Sequence, residues 1–330
     1  MNKNLSVEFV TKYSESRALS AKSYFEWLRV NGIIELLLRP YTVPSICYDK
    51  KWDSSNQHFI EEIFQYLTTF QILSEAGGTY KLTDNYLKEV TKLEHIIELG
   101  EHKHPTQVFI KHGLKILDDK LMGDSGQWDL NKDSFIFERG LTQSVYESRL
   151  ILLQDVLFSH SDFTIQTNPK VIVYANYIEV VVPLLEAISE KIDSVSIIVP
   201  NNNIKDEAIS FCETKEAWST FSAVIFSEPE FSEQNKKADL VIIPNGLGFY
   251  SEFKNQLKFL KNITNYGSTI IGFAATDAHV QLGIEPLFSL HPFYHGLPNT
   301  SDFNRVVKAN GFLEPKRLDP KNLIFITKVG

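Results

Sequence analysis

The sequence predicts an α/β protein in which a mainly helical front part precedes an open parallel sheet, and three observations carry this. From Lys170 onward five short continuous apolar runs recur, each of the kind that a strand buried on both faces requires. Segments with helical periodicity lie between several of these runs. Two further strand-like segments, Phe312 to Leu318 and Leu323 to Lys328, flank the turn Asp319-Pro320-Lys321-Asn322, which makes them a hairpin.

The elements follow in order. Phe25, Leu28, Ile33, Leu36 and Leu37 recur close to helical spacing and predict a helix over Ala21 to Leu38, ended by Pro40 and Pro44. A second helix is expected from His58 to Gln71, with Ile60, Ile63, Phe64 and Leu67 on one stripe. It stops at Ala76-Gly77-Gly78, after which Thr79 to Leu82 reads as a short strand, so the unit is expected to be a winged helix. Mainly helical signals continue from Asn85 to about His160, punctuated at His104-Pro105 and Gly123-Asp124-Ser125-Gly126. The five buried runs are Val171 to Tyr174, Val195 to Val199, Ala223 to Phe226, Leu240 to Ile243 and Thr269 to Phe273. After a loop-rich stretch, a helix from about Ser301 to Ala309 ends at Gly311. Three domains are expected: a dimerisation domain over 1–100, a helical connector contributing to a pocket over 101–167, and the sheet domain over 168–330.

Composition narrows the function. The chain has 330 residues, 43% hydrophobic and 22% charged, ample for packed cores. A net charge of −8 gives no general attraction for nucleic acid or an anionic membrane. The helix His58 to Gln71 carries Glu61 and Glu62 and no Lys or Arg, so it is not expected to enter a DNA groove. No apolar run approaches the roughly 20 residues needed to span a bilayer. Cys47 and Cys212 stand far apart, and the first residues carry no apolar signal segment, which predicts a cytoplasmic protein. P-loop, G-x-S-x-G, H-E-x-x-H and zinc-finger spacings are all missing, which sets aside the chemistries they serve.

The order of elements resembles the class I S-adenosylmethionine (SAM) dependent methyltransferase fold over roughly residues 168–330, a Rossmann-like sheet of five β/α units whose last strand inserts antiparallel. In the front half, Ile72-Leu73, Gly78, Tyr80, Leu82 and Thr83 are similar to the wing of small-molecule O-methyltransferases that dimerise through an N-terminal winged-helix domain. Ser301-Asp302-Phe303, Ala309 and Gly311-Phe312 resemble a second segment of that family. The resemblance implies a homodimer acting on a small molecule, with SAM as cofactor and no metal.

Ligands of open parallel sheets sit outside the carboxyl ends of the strands, so the candidate residues lie there. After the first strand, where the family has a glycine-rich turn, stands Tyr174-Ala175-Asn176-Tyr177-Ile178-Glu179, with no glycine. Glycine supplies positive φ and leaves out the Cβ that would strike a ligand, so Tyr174, Asn176 and Tyr177 are expected to occupy part of the cofactor space. After the second strand, where the family places an acid against the ribose, Asn201 stands and the first acid is Asp206. The third strand offers Ser227 and Glu228, facing an adenine or nothing. Tyr174, Asn176, Glu179, Asn201, Ser227 and Asn245 are thus the cofactor-side candidates.

After the fourth strand, Asn245 to Glu252 aligns with the family's histidine-containing segment, with Tyr250 in its Trp position and Gly248 where the catalytic histidine stands. A hydroxyl acceptor needs a base and glycine provides none, so conventional O-methylation is not expected. The catalytic candidates are His291, His295, Tyr250 and Asp277. The two histidines are four apart, a metal-ligand spacing, but Pro292 allows at most a helix start and no third ligand is evident. Phe135, Arg139, Tyr146 and Phe249 are substrate-side candidates, core packing being the competing reading for the aromatics. Three functions stay open: a small-molecule-modifying member with a degenerate SAM site, an active methyltransferase on a nitrogen, sulfur or activated carbon, and a partner-binding pseudoenzyme.

Overall fold

The computed structural model describes residues 3–98, 105–128, 153, 170–175, 184–185, 194–199, 201–214, 218, 222–234, 236–247, 253–274, 283, 285–290, 299–318 and 324–330. The chain divides into two compact units. One comprises Thr11–Val145 and His279–Tyr294, the other Met1–Val10, Tyr146–Ala278 and His295–Gly330.

The first helix, α1, runs over Lys3–Val30, far earlier than the apolar period suggested. Its buried face carries Tyr13, Ser16 and Ser20 before it reaches Tyr24 and Leu28, and the two serines interrupt the stripe that hydropathy reads. It also ends sooner than Leu38. Gly32 takes φ +63, and the bond from Ile33 N to Leu28 O closes the helix end, leaving Leu36–Leu38 as a separate 3₁₀ turn. Pro44, expected to stop a helix, instead lies in the first turn of α2 (Val43–Lys50), where its missing N–H has no helical partner to lose. Thr42 caps that helix, its Oγ1 accepting from Ser45 N at 3.2 Å.

Helix α3 (Gln57–Thr69) buries Ile60, Ile63, Phe64 and Leu67, as its spacing predicts, and Phe59 and Tyr66 besides. Strands β2 (Leu73–Ala76) and β3 (Thr79–Leu82) form a hairpin over Gly77 and Gly78, both at positive φ, as a two-residue turn demands. A two-residue strand β1 (Tyr41–Thr42), which no pattern foretold, pairs with β3 and gives the order β1-β3-β2. Helices α4 (Tyr86–Glu98) and α5 (Pro105–Leu121) follow.

The second unit is built on a seven-stranded sheet in the order β6-β5-β4-β7-β8-β10-β9. Its strands are β4 (Val171–Tyr174), β5 (Ser194–Val199), β6 (Ser222–Ser227), β7 (Ala238–Leu247), β8 (Thr264–Ala274), β9 (Lys316–Arg317) and β10 (Ile324–Lys328). The first five are mutually parallel, and β10 enters antiparallel between β8 and β9. All five apolar runs are strands, and β4 is buried along its whole length, as a central parallel strand must be. The ninth strand is shorter than expected: Pro315 can donate no ladder bond, so the strand is Lys316 and Arg317 alone, with a separate antiparallel bridge from Phe312 to Val329. The turn expected at Asp319 to Asn322 lies outside the described residues.

Described helices of this unit are α6 (Asn202–Glu213), α7 (Glu228–Glu233), α8 (Phe253–Asn262) and α10 (Thr300–Ala309), while the one-turn α9 (Glu285–Phe288) belongs to the other unit. One core joins Ile172, Val241, Ile243 and Ile270 of the sheet to Leu257 and Leu260 of α8 and to Phe303 and Val307 of α10. Each such side chain contributes about 1.5–3 kcal/mol by leaving water. Asn299 caps α10, its Oδ1 accepting from Asp302 N at 2.8 Å, and the Arg317 guanidinium lies 4.9 Å over the Phe303 ring.

Candidate functional site

Strand order reverses between β4 and β7: β5 and β6 lie beyond one, β8 and β10 beyond the other. In an open α/β sheet the crevice outside such a switch point is the ligand site, so the carboxyl ends of β4 and its neighbours define the candidate site.

Tyr174 ends β4 with its side chain 3% exposed, packed in the core with Ile172, Ile198 and Phe231. Its ring lies 5.6 Å from that of Phe259 on α8. The phenol donates to Glu228 Oε1 at 2.5 Å, so one hydrogen bond reaches from the end of β4 past β5 to the first residue of α7. Ala175 is fully buried, its N–H held by Ile198 O at 2.9 Å. The end of β4 is therefore packed, and it is hydrogen-bonded toward β5 and α7.

Asn201 is exposed at the start of α6, where its carbonyl accepts from Lys205 N at 3.1 Å. Ser227 ends β6 fully buried and precedes a helix with Pro229 and two acids in its first turn, which suits the positive end of the helix. Ser227 N donates to Glu230 Oε2 at 3.1 Å, and Lys205 Nζ donates to Glu230 Oε1 at 2.7 Å. The Lys205 ammonium, followed by the Ser227 N–H, holds the Glu230 carboxyl below its ordinary pKa. Glu230 thus carries a structural duty that its sequence position alone did not reveal; the signal available was the Ser-x-x-Glu capping pattern from Ser227 to Glu230.

Asn245 lies in β7 where the ladder loses register. Ile243 pairs with Gly272 and Leu247 with Ala274, so four steps along β7 match two along β8. A Cβ on Gly272 would stand 2.7 Å from Ile243 Cβ and 2.8 Å from its carbonyl oxygen, so this glycine lets the two strands approach just before the bulge. A glycine inside an otherwise continuous apolar run was the only sequence signal of that feature.

The structure thus brings Tyr174 and Glu228 together and places Asn201, Ser227 and Asn245 at the ends of their own elements. Asn176, Glu179, Phe249, Tyr250, Asp277, His291, His295, Phe135, Arg139 and Tyr146 lie outside the described residues. Among the described residues no group of three or more His, Cys, Asp or Glu is placed to hold a metal, and no helix is long and apolar enough to cross a membrane.

No family model matches the chain, and no curated protein sequence matches it. Solved structures do. The CurJ carbon methyltransferase superposes with a TM-score of 0.54 at 11% identity, over 100% of this chain and 94% of that one. The CMeT domain of the citrinin polyketide synthase gives 0.56 at 10% identity, over 96% and 88% of the two chains. The fold is that of the class I SAM-dependent methyltransferases. Mitomycin 7-O-methyltransferase MmcR, at TM-score 0.50 and 13% identity over 96% and 94%, shares it.

Proposed function

We propose that this chain is a small-molecule-modifying member of the methyltransferase superfamily whose SAM site is degenerate, and that it is not a conventional O-methyltransferase. The observation that carries the reading is the Tyr174 side chain, buried at the end of β4 and bonded to Glu228. A SAM molecule lying across these strand ends needs backbone free of side chains to approach, and acids available to its adenosine. Here a phenol ring is buried at the end of β4 and the Glu228 carboxylate already accepts its hydrogen bond, which supports a degenerate site. Asn201 in place of an acid and Gly248 in place of a base add to this.

Within this reading Asp277, His291, His295 and Tyr250 supply acid and base groups, and Phe135, Arg139, Tyr146 and Phe249 contact the substrate. The chain is proposed to dimerise through its N-terminal domain, where Val30, Leu38 and Tyr48 are exposed at 79%, 58% and 83%. Sedimentation equilibrium checks that expectation.

A second reading, an active methyltransferase on a carbon, nitrogen or sulfur nucleophile, is favoured by one observation: a carbon methyltransferase superposes over the whole chain. Such a nucleophile needs little base assistance, so Gly248 does not count against it. Isothermal titration calorimetry with SAM and with S-adenosylhomocysteine separates the two. The degenerate-site reading expects no binding heat up to high micromolar ligand; a dissociation constant of micromolar order overturns it in favour of the second.

A further inference from the structure

We draw no further inference here: the strongest candidate, the side-chain cluster of Ser227, Lys205 and Glu230 at the end of β6, belongs to the site already described, where the Glu230 carboxylate accepts from both the Lys205 ammonium and the Ser227 N–H.

Discussion

Strands β4 and β7 are parallel neighbours, yet their carboxyl ends are finished in opposite ways. The first is closed by an added side chain: Tyr174 is bulky, buried, and tied to Glu228. The second is shaped by a missing one: Gly272 on β8 lets Ile243 come close, and β7 then bulges before rejoining at Leu247. A side chain that fills space is sensitive to being cut back, and a glycine that permits contact is sensitive to being built up. The two strand ends are thus finished in two ways, and substitutions distinguish them.

The largest expected effect is at the filled end. Tyr174→Ala removes a buried ring and is expected to lower unfolding free energy by about 4 kcal/mol in a urea titration. A loss under about 1 kcal/mol would mean that the ring contributes little and that this end is finished by backbone after all. At the other end Gly272→Ala adds one carbon against Ile243, and about 2 kcal/mol of destabilisation is expected in the same titration. Should that variant be as stable as wild type, the close approach of β7 and β8 has slack and the contrast between the two ends fails.

Smaller still is the effect of Tyr174→Phe, which keeps the ring and removes only the bond to Glu228; about 1–2 kcal/mol is expected. The difference between Phe and Ala at this position separates filling from bonding. The smallest effect is acidic. Because the folded Glu230 carboxyl is held below its ordinary value by Lys205, its contribution is complete above the usual carboxylate range, about pH 4.3, and fades as pH falls through the depressed folded value. Glu230→Gln is therefore expected to flatten the acid side of the melting-temperature profile and leave its neutral shape unaltered.

What the sequence revealed of these ends follows from how local each signal is. The five strands announced themselves because their apolar runs carry almost no polar interruption, although β6 at the sheet edge is buried only in part, and the glycine-free turn expected after Tyr174 lies outside the described residues. The partner of that tyrosine was not legible, because Glu228 comes from beyond a second strand and only the sheet order brings the two together. Helix α1 was read as starting at Ala21 instead of Lys3 because Ser16 and Ser20 are buried where an apolar residue would have kept the period. Pro44 was read as a stop because proline marks both ends of helices, and the Thr42 cap decides which.

The antiparallel entry of β10 has a consequence for how the molecule is made. Ile324–Lys328 forms the ladder with β8 on one side and β9 on the other, although β8 itself is synthesised some fifty residues earlier. Until the ribosome has released that late strand, Ile270 to Phe273 offers a bare row of amides and carbonyls along an apolar ribbon, the form of surface on which nascent chains adhere to one another. Among the described strands, the latest in chain order is thus the one that covers the edge of β8.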